Sequence, residues 1–189
     1  MTTTERIVES YYRLIEGCFT MSDVKVLNGN NRQFDILAYN VKKGKQYHVE
    51  VSVMHDEQWA STPEQLKDEF DRKFLGKPRE ASGPKTDNTK GKQYRDSIES
   101  TYKSVGFDPK CVKRVWVCWT VRDPNVELSN KLNEYCEQHD LGRDMITVLS
   151  FRDLILPKLL VAVGTSNYQD DTLRTLSLLQ QAQKQSLSK

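Results

Sequence analysis

The chain has 189 residues, of which 37% are hydrophobic and 29% are charged, and its formal net charge is only +2. This length suffices for one domain with a sizeable core, while the small net charge excludes an argument for nucleic-acid binding from overall charge. No apolar run approaches the roughly 18–20 residues of a membrane span, and the first residues lack the features of a signal peptide. We therefore expect a cytoplasmic protein that does not associate with membranes.

The first part of the chain predicts a helix followed by three strands. Residues 4–18 place apolar side chains at helical spacing, and residues 23–28 alternate as a short strand does. Residues 33–41 and 46–54 form two longer alternating runs. A basic turn with Gly44 separates them, and glycine accepts the positive φ that tight turns need, so we predict a hairpin.

The second part of the chain predicts mainly helices around two further strands. Thr62 followed by Pro63 is a typical helix start, and a glycine- and proline-containing loop follows over residues 75–91. The later predicted elements are a helix over residues 93–104, a strand over 112–121, a helix over 125–139, a strand over 145–149, and helices over 150–163 and 171–189.

This order of elements predicts an α/β fold, in which a mixed β-sheet carries helices on both faces. We expect one α/β domain over residues 1–165 and a helical tail rich in leucine and glutamine over residues 166–189. The leucines of the tail need an apolar surface, which is either this domain or a second copy of the chain.

Two carboxylates stand out because each occupies the middle of a predicted strand. Glu50 shares one face of its strand with His48 and Ser52, since side chains alternate along a strand. Fourteen residues separate Glu50 from Asp35, which a hairpin accommodates. Carboxylates on neighbouring strands are suited to hold a divalent cation. The alternative is a solvated hairpin face. His48 could contact a substrate or simply be exposed, and we expect it to be exposed.

These residues and this order of elements resemble the core of the PD-(D/E)XK nuclease superfamily, the restriction-endonuclease-like enzymes that include Holliday junction resolvases and Mrr-type nucleases. The matching residues are Asp35 in Gln-Phe-Asp-Ile-Leu-Ala and Glu50 in His-Val-Glu-Val-Ser-Val. The resemblance covers residues 4–75 by motif, and the following strand–helix–strand by order of elements. It implies a restriction-endonuclease-like fold, Mg²⁺ or Mn²⁺ held by these two carboxylates, and a further acidic residue on the first helix, for which Glu9 and Glu5 are the candidates.

The chain departs from the family motif at Ser52, because the family has a lysine there. Phosphodiester cleavage needs a positioned water, a polarising cation and positive charge near the transition state. A serine hydroxyl can orient water but carries no charge. Lys25 on the adjacent strand and Lys67 or Lys73 on the next helix are the candidate replacements, whereas Lys45 lies roughly 17 Å from Glu50 along the strand.

We therefore predict a magnesium-dependent nuclease that acts on DNA, with RNA as the less favoured substrate. Its predicted catalytic residues are Asp35, Glu50, Ser52 and Glu9, with Mg²⁺ or Mn²⁺ as cofactor. Residues 73–92 hold six basic and two acidic side chains, a local excess of +4, so we predict that this basic segment contacts the phosphates. The predicted contacts are Lys73, Lys77, Arg79, Lys85, Lys90 and Lys92.

Ser52 also motivates an alternative, in which the chain keeps the nuclease fold but is catalytically inactive. Such a protein would act as a nucleic-acid-binding or assembly module through the basic segment or the leucine-rich tail. A homodimer joined through residues 171–189 is compatible with either hypothesis.

Overall fold

The computed structural model describes residues 1–53, 60–61, 63–77, 94–121 and 126–187. The strands are β1 (Phe19–Lys25), β2 (Gln33–Asn40), β3 (Lys45–Ser52), β4 (Ala60–Ser61), β5 (Val112–Cys118), β6 (Thr120–Val121) and β7 (Ile146–Ser150). The α-helices are α1 (Thr3–Leu14), α2 (Pro63–Lys73), α3 (Arg95–Ser104), α4 (Val126–Gln138), α5 (Leu156–Val163) and α6 (Asp171–Leu187), and a π-helical turn (Phe151–Ile155) leads into α5. Within these ranges, no helix is long and apolar enough to span a membrane.

Five strands form one mixed sheet in the order β1-β2-β3-β5-β7. The pairs β1–β2 and β2–β3 are antiparallel, whereas β5 lies parallel to both β3 and β7. The two short strands β4 and β6 form a separate parallel pair. The mixed sheet and the α/β class predicted from the sequence are confirmed.

Helices cover both faces of the sheet, because successive side chains of β5 pack against helices on opposite faces. Val115 and Val117 pack in a cluster with α1 and the π-helical turn, whereas Trp116 and Cys118 pack on the opposite face with α2 and α4. Tyr102 of α3 belongs to a third cluster, which lies on the same face of the sheet as Trp116. Both faces of the central strands are therefore buried.

Strand β1 begins four residues before the predicted start at residue 23, because α1 ends earlier than predicted. Gly17 adopts a φ of +66° after α1, and this left-handed residue turns the chain into the sheet. The sequence pattern of β1 is weak because β1 is an edge strand, and Phe19 at its start is 76% exposed. An edge strand need not alternate as regularly as a central strand, so periodicity alone located it poorly.

Helix α6 packs on its own chain. Leu173 and Leu176 are buried in a cluster with Leu159 and Val163 of α5. The next leucines of the helix, at positions 178 and 179, are exposed. Part of the leucine-rich tail therefore finds its apolar surface within the same protein.

Candidate active site

Asp35 and Glu50, called the carboxylate pair below, lie side by side on β2 and β3. Leu37 pairs with His48 and Ile36 pairs with Val49, so the same register continued by one residue sets Asp35 opposite Glu50. Asp35 is 8% exposed and Glu50 is 1% exposed. The carboxylates therefore do not belong to a solvated hairpin face.

The backbone helps to orient one member of the pair. Asp35 Oδ2 accepts a hydrogen bond of 2.8 Å from the backbone N–H of Val51. A backbone donor is fixed by the strand itself, so this bond limits the rotation of the Asp35 side chain. The other oxygen, Oδ1, faces the ammonium of Lys73.

Lys73, at the end of α2, supplies the positive charge of the site. Its ammonium donates a hydrogen bond to Glu50 Oε2 and lies 3.7 Å from Asp35 Oδ1. The other two candidate lysines, Lys25 and Lys67, are exposed. Of the three replacements that the sequence left open, the structure places Lys73 against the carboxylate pair.

The packing of α2 brings Lys73 to this position. Leu66, Phe70 and Phe74 occur at helical spacing and are buried against Trp116 of β5. Burial of these three side chains holds α2 across the face of the sheet that carries Glu50. Lys73 precedes Phe74 and is the last residue of α2. Its long side chain extends from the helix to Glu50 on β3.

The last turn of α2 is held by residues from elsewhere in the chain. Arg32 donates to the carbonyl oxygens of Arg72 at 2.5 Å and Lys77 at 2.9 Å. Gly76 has a φ of +70°, and a Cβ atom there would lie 2.7 Å from the carbonyl carbon of Tyr94. The guanidinium of Arg32 lies 4.7 Å from the centre of the Tyr94 ring. These contacts fix the helix end from which Lys73 extends.

His48 is buried, contrary to the expectation that it is exposed. Its Nε2 lies 2.7 Å from Glu50 Oε1, and its Nδ1 lies 2.6 Å from the hydroxyl oxygen of Tyr102. The rings of Phe34 and Phe74 lie 4.2 and 5.1 Å from the imidazole, centre to centre. The expectation was wrong because β3 is a central strand, and α2 and α3 cover the face that carries His48.

Burial controls the ionisation of these groups. The pKa of Asp35 is raised to about 6, first by burial and then by the charge of Glu50, while Lys73 opposes the rise. Burial likewise raises the pKa of Glu50, again opposed by Lys73. Burial and the nearby charge of Arg114 place the pKa of His48 well below its ordinary value, so its imidazole is neutral.

The acidic residues of α1 make other contacts. Glu9 accepts hydrogen bonds of 2.7 and 2.9 Å from the hydroxyls of two β1 residues, Thr20 and Ser22. Glu5 closes the capping box of α1 with Thr2. No hydrogen bond or ion pair within the described ranges joins either residue to the carboxylate pair. The charge of Glu5 nevertheless contributes to the raised pKa of Asp35, whereas Glu9 is engaged with β1 and is not brought to the pair.

The remaining predicted residues lie at the edge of the site or beyond the described part of the chain. Ser52 is exposed at the end of β3. Lys77 forms an ion pair of 2.7 Å with Asp71. The other predicted phosphate contacts, Arg79, Lys85, Lys90 and Lys92, lie outside the described residues.

The donor set of the carboxylate pair fits a hard divalent cation. Asp35 Oδ1 and Glu50 Oε2 converge on one positive charge, the ammonium of Lys73. Mg²⁺ is commonly held by one or two carboxylates, with water and substrate phosphate completing its shell. Within the described ranges, no group of three or more His, Cys, Asp or Glu side chains stands together as a metal site.

No protein-family model matches the chain, and neither a curated protein nor a solved structure matches it. Function is therefore inferred from the carboxylate pair and the residues around it.

Proposed function

We propose that the protein is a metal-dependent nuclease that hydrolyses phosphodiester bonds, in DNA rather than RNA, and binds Mg²⁺ or Mn²⁺ through Asp35 and Glu50. The observation that carries the proposal is the convergence of two buried carboxylates and one lysine ammonium. Two carboxylates and a lysine ammonium are also the functional groups of the PD-(D/E)XK nuclease motif, which the chain resembles. In this proposal Lys73 of α2 takes the part of the lysine that the chain lacks at Ser52.

Each residue has a distinct part in the proposed reaction. Asp35 and Glu50 would hold the metal, which would supply polarisation of the scissile phosphate and of the attacking water. Lys73 orients the attacking water and places positive charge near the oxygens on which negative charge develops. The raised pKa of Asp35 means that this carboxylate binds a cation best above about pH 6, where it is ionised.

The basic segment supports nucleic acid as the substrate. Lys73 belongs both to this segment and to the candidate site, so a nucleic-acid backbone bound at Lys73 would lie beside the carboxylate pair. The local excess of +4 favours the phosphate backbone, whose contacts dominate nucleic-acid affinity. Phosphate contacts position a substrate without reading its sequence.

The test is a cleavage assay with purified protein, Mg²⁺ or Mn²⁺, and single- and double-stranded DNA and RNA. We expect cleavage that is abolished by chelation and by Asp35→Asn. Glu137→Gln is the matched control, because it neutralises an exposed carboxylate on α4. Absence of cleavage with every substrate and both metals, or full activity of Asp35→Asn, would contradict the proposal.

A second candidate function is a catalytically inactive nucleic-acid-binding or assembly module. Ser52 favours it, and the ion pair of Lys73 with Glu50 is also a means of compensating a buried carboxylate without any catalysis. This candidate predicts salt-sensitive nucleic-acid binding that persists in Asp35→Asn, with no metal-dependent cleavage. Specific Mn²⁺ binding that is abolished by Glu50→Gln would count against it.

A further inference from the structure

Glu50 is held from two sides by different chemistry. Lys73 contacts its Oε2, whereas His48 Nε2 lies 2.7 Å from its Oε1. On the far side of the imidazole, the hydroxyl of Tyr102 lies 2.6 Å from His48 Nδ1. The rings of His48 and Tyr102 are fully buried, so these hydrogen bonds are not shared with bulk water. Glu50, His48 and Tyr102 thus form a buried hydrogen-bonded row.

The positions of the protons in this row follow from the charge of Glu50 at one end and the hydroxyl donor of Tyr102 at the other. The ion pair with Lys73 favours the ionised form of Glu50, and an ionised carboxylate accepts hydrogen bonds but donates none. His48 Nε2 must therefore carry the proton that lies between it and Glu50. In a neutral imidazole the other nitrogen then has no proton, so Nδ1 accepts from the Tyr102 hydroxyl.

We propose that His48 and Tyr102 are positioning residues that fix Glu50 for cation binding. Tyr102 donates to His48 Nδ1, which selects the Nε2–H tautomer. That N–H holds Glu50 Oε1, so that Oε2 faces Asp35 Oδ1 and the cation. The inference rests on the proposed metal-binding function, and neither residue contacts the reacting atoms.

This arrangement differs from ordinary core packing in one measurable respect. A side chain that only fills space affects stability, and its removal does not selectively change cation affinity. A residue that orients a metal ligand changes the affinity itself, and removal of such a supporting hydrogen bond typically weakens metal binding about 10–100-fold.

Three variants separate the two roles. His48→Leu keeps an apolar side chain in the site but removes both hydrogen bonds. His48→Gln retains an N–H donor that can reach Glu50. Tyr102→Phe removes a single oxygen atom and serves where His48→Leu fails to fold. Tyr135→Phe is the matched control, because its hydroxyl donates to Asp71 at 2.5 Å, away from the carboxylate pair.

Calorimetric titration of the full chain with Mn²⁺ measures the cation affinity of each variant. We expect His48→Leu and Tyr102→Phe to bind Mn²⁺ about 10–100-fold more weakly than the unaltered protein. His48→Gln should recover most of the affinity, and Tyr135→Phe should bind as the unaltered protein does even where its melting temperature falls. A folded His48→Leu or Tyr102→Phe with unchanged Mn²⁺ affinity would overturn the inference.

Nitrogen-15 NMR of the histidine rings tests the same inference without metal. We expect the Nε2 atom of His48 to carry its ring proton and the Nδ1 atom to carry none. A proton on Nδ1 would overturn the inference. If the unaltered protein binds no Mn²⁺, the proposed metal site fails, while the tautomer still decides whether Tyr102 and His48 hold Glu50 as described.

Discussion

The ammonium of Lys73 forms an ion pair with Glu50, although the two residues are 23 positions apart in the chain. Ser52, only two residues after Glu50, is exposed and carries no charge. The positive charge beside the carboxylate pair therefore comes from a helix that packs across the sheet, not from the strand that carries Glu50.

Lys73→Met should reduce metal-dependent cleavage about 100-fold or more, because a preorganised group that stabilises transition-state charge typically contributes that much. The measurement is the single-turnover cleavage rate at saturating Mn²⁺. Lys67→Met is the matched control, because Lys67 is an exposed lysine of the same helix and its replacement should leave the rate unchanged. Equal rates for the two variants would remove Lys73 from the mechanism.

The carboxylate pair should dominate cation binding, and Glu9 of α1 should contribute little. Glu50→Gln keeps the shape of the side chain but removes its negative charge. We therefore expect calorimetry to show no specific Mn²⁺ binding. Glu9→Gln should bind Mn²⁺ as the unaltered protein does, because Glu9 contacts hydroxyls of β1. A strong decrease of Mn²⁺ affinity in Glu9→Gln would restore the assisting role that the sequence suggested for this residue.

The pKa of Asp35 predicts how stability depends on pH. The pKa is raised from 3.8 to about 6, so between these values the folded protein holds a proton that the unfolded chain releases. The free energy of unfolding therefore decreases as pH rises through this window, by as much as about 3 kcal/mol for a shift of about 2 pKa units.

Asp35→Asn removes this titration and provides the test. We expect the stability of the variant, relative to the unaltered protein, to increase from about pH 4 to about pH 7. Urea denaturation in the presence of a chelator gives both free energies of unfolding at each pH. A relative stability that does not change with pH would show that Asp35 titrates near its ordinary value.

The basic segment should control nucleic-acid affinity. A triple alanine variant at Lys85, Lys90 and Lys92 should bind double-stranded DNA more weakly. Its plot of log affinity against log salt concentration should be shallower, by about 0.9 for each phosphate that the variant no longer neutralises. Fluorescence anisotropy over a range of salt concentrations measures both quantities.

A second triple variant controls for the change in net charge. Alanine at Lys42, Lys43 and Lys45 removes the same number of charges from the exposed turn after β2 and the first residue of β3. We expect its affinity and salt slope to stay close to those of the unaltered protein. Equal decreases of affinity in the two triple variants would mean that affinity follows overall charge and that residues 73–92 do not bind DNA specifically.

Helix α6 offers a matched pair of leucines. Leu176 is 6% exposed and Leu179 is 55% exposed. Leu176→Ala should lower the free energy of unfolding by about 2–5 kcal/mol, because it leaves a cavity against α5. Leu179→Ala should change it by less than about 0.5 kcal/mol in a monomer, so a large decrease of stability, or a shift to later elution from gel filtration, would indicate a dimer formed through this helix.

The helices, the strands of the five-stranded sheet and the side-by-side placement of Asp35 and Glu50 could be predicted because they depend on local patterns. Apolar spacing reports the period of a helix or a strand, and a short hairpin leaves two neighbouring strands few alternative registers. Glu50 and Asp35 are joined by such a hairpin, so sequence alone made them neighbours. Edge strand β1 was placed less well, because its pattern is weak.

The partners of the carboxylate pair could not be chosen from the sequence, because they come from distant segments. His48 is buried because β5, more than 60 residues further along the chain, pairs with β3 and makes it a central strand. Lys73 reaches Glu50 because α2 packs on Trp116 of that same strand. Local periodicity shows which side chains share a face, but only tertiary packing decides which face is covered and which charge meets it.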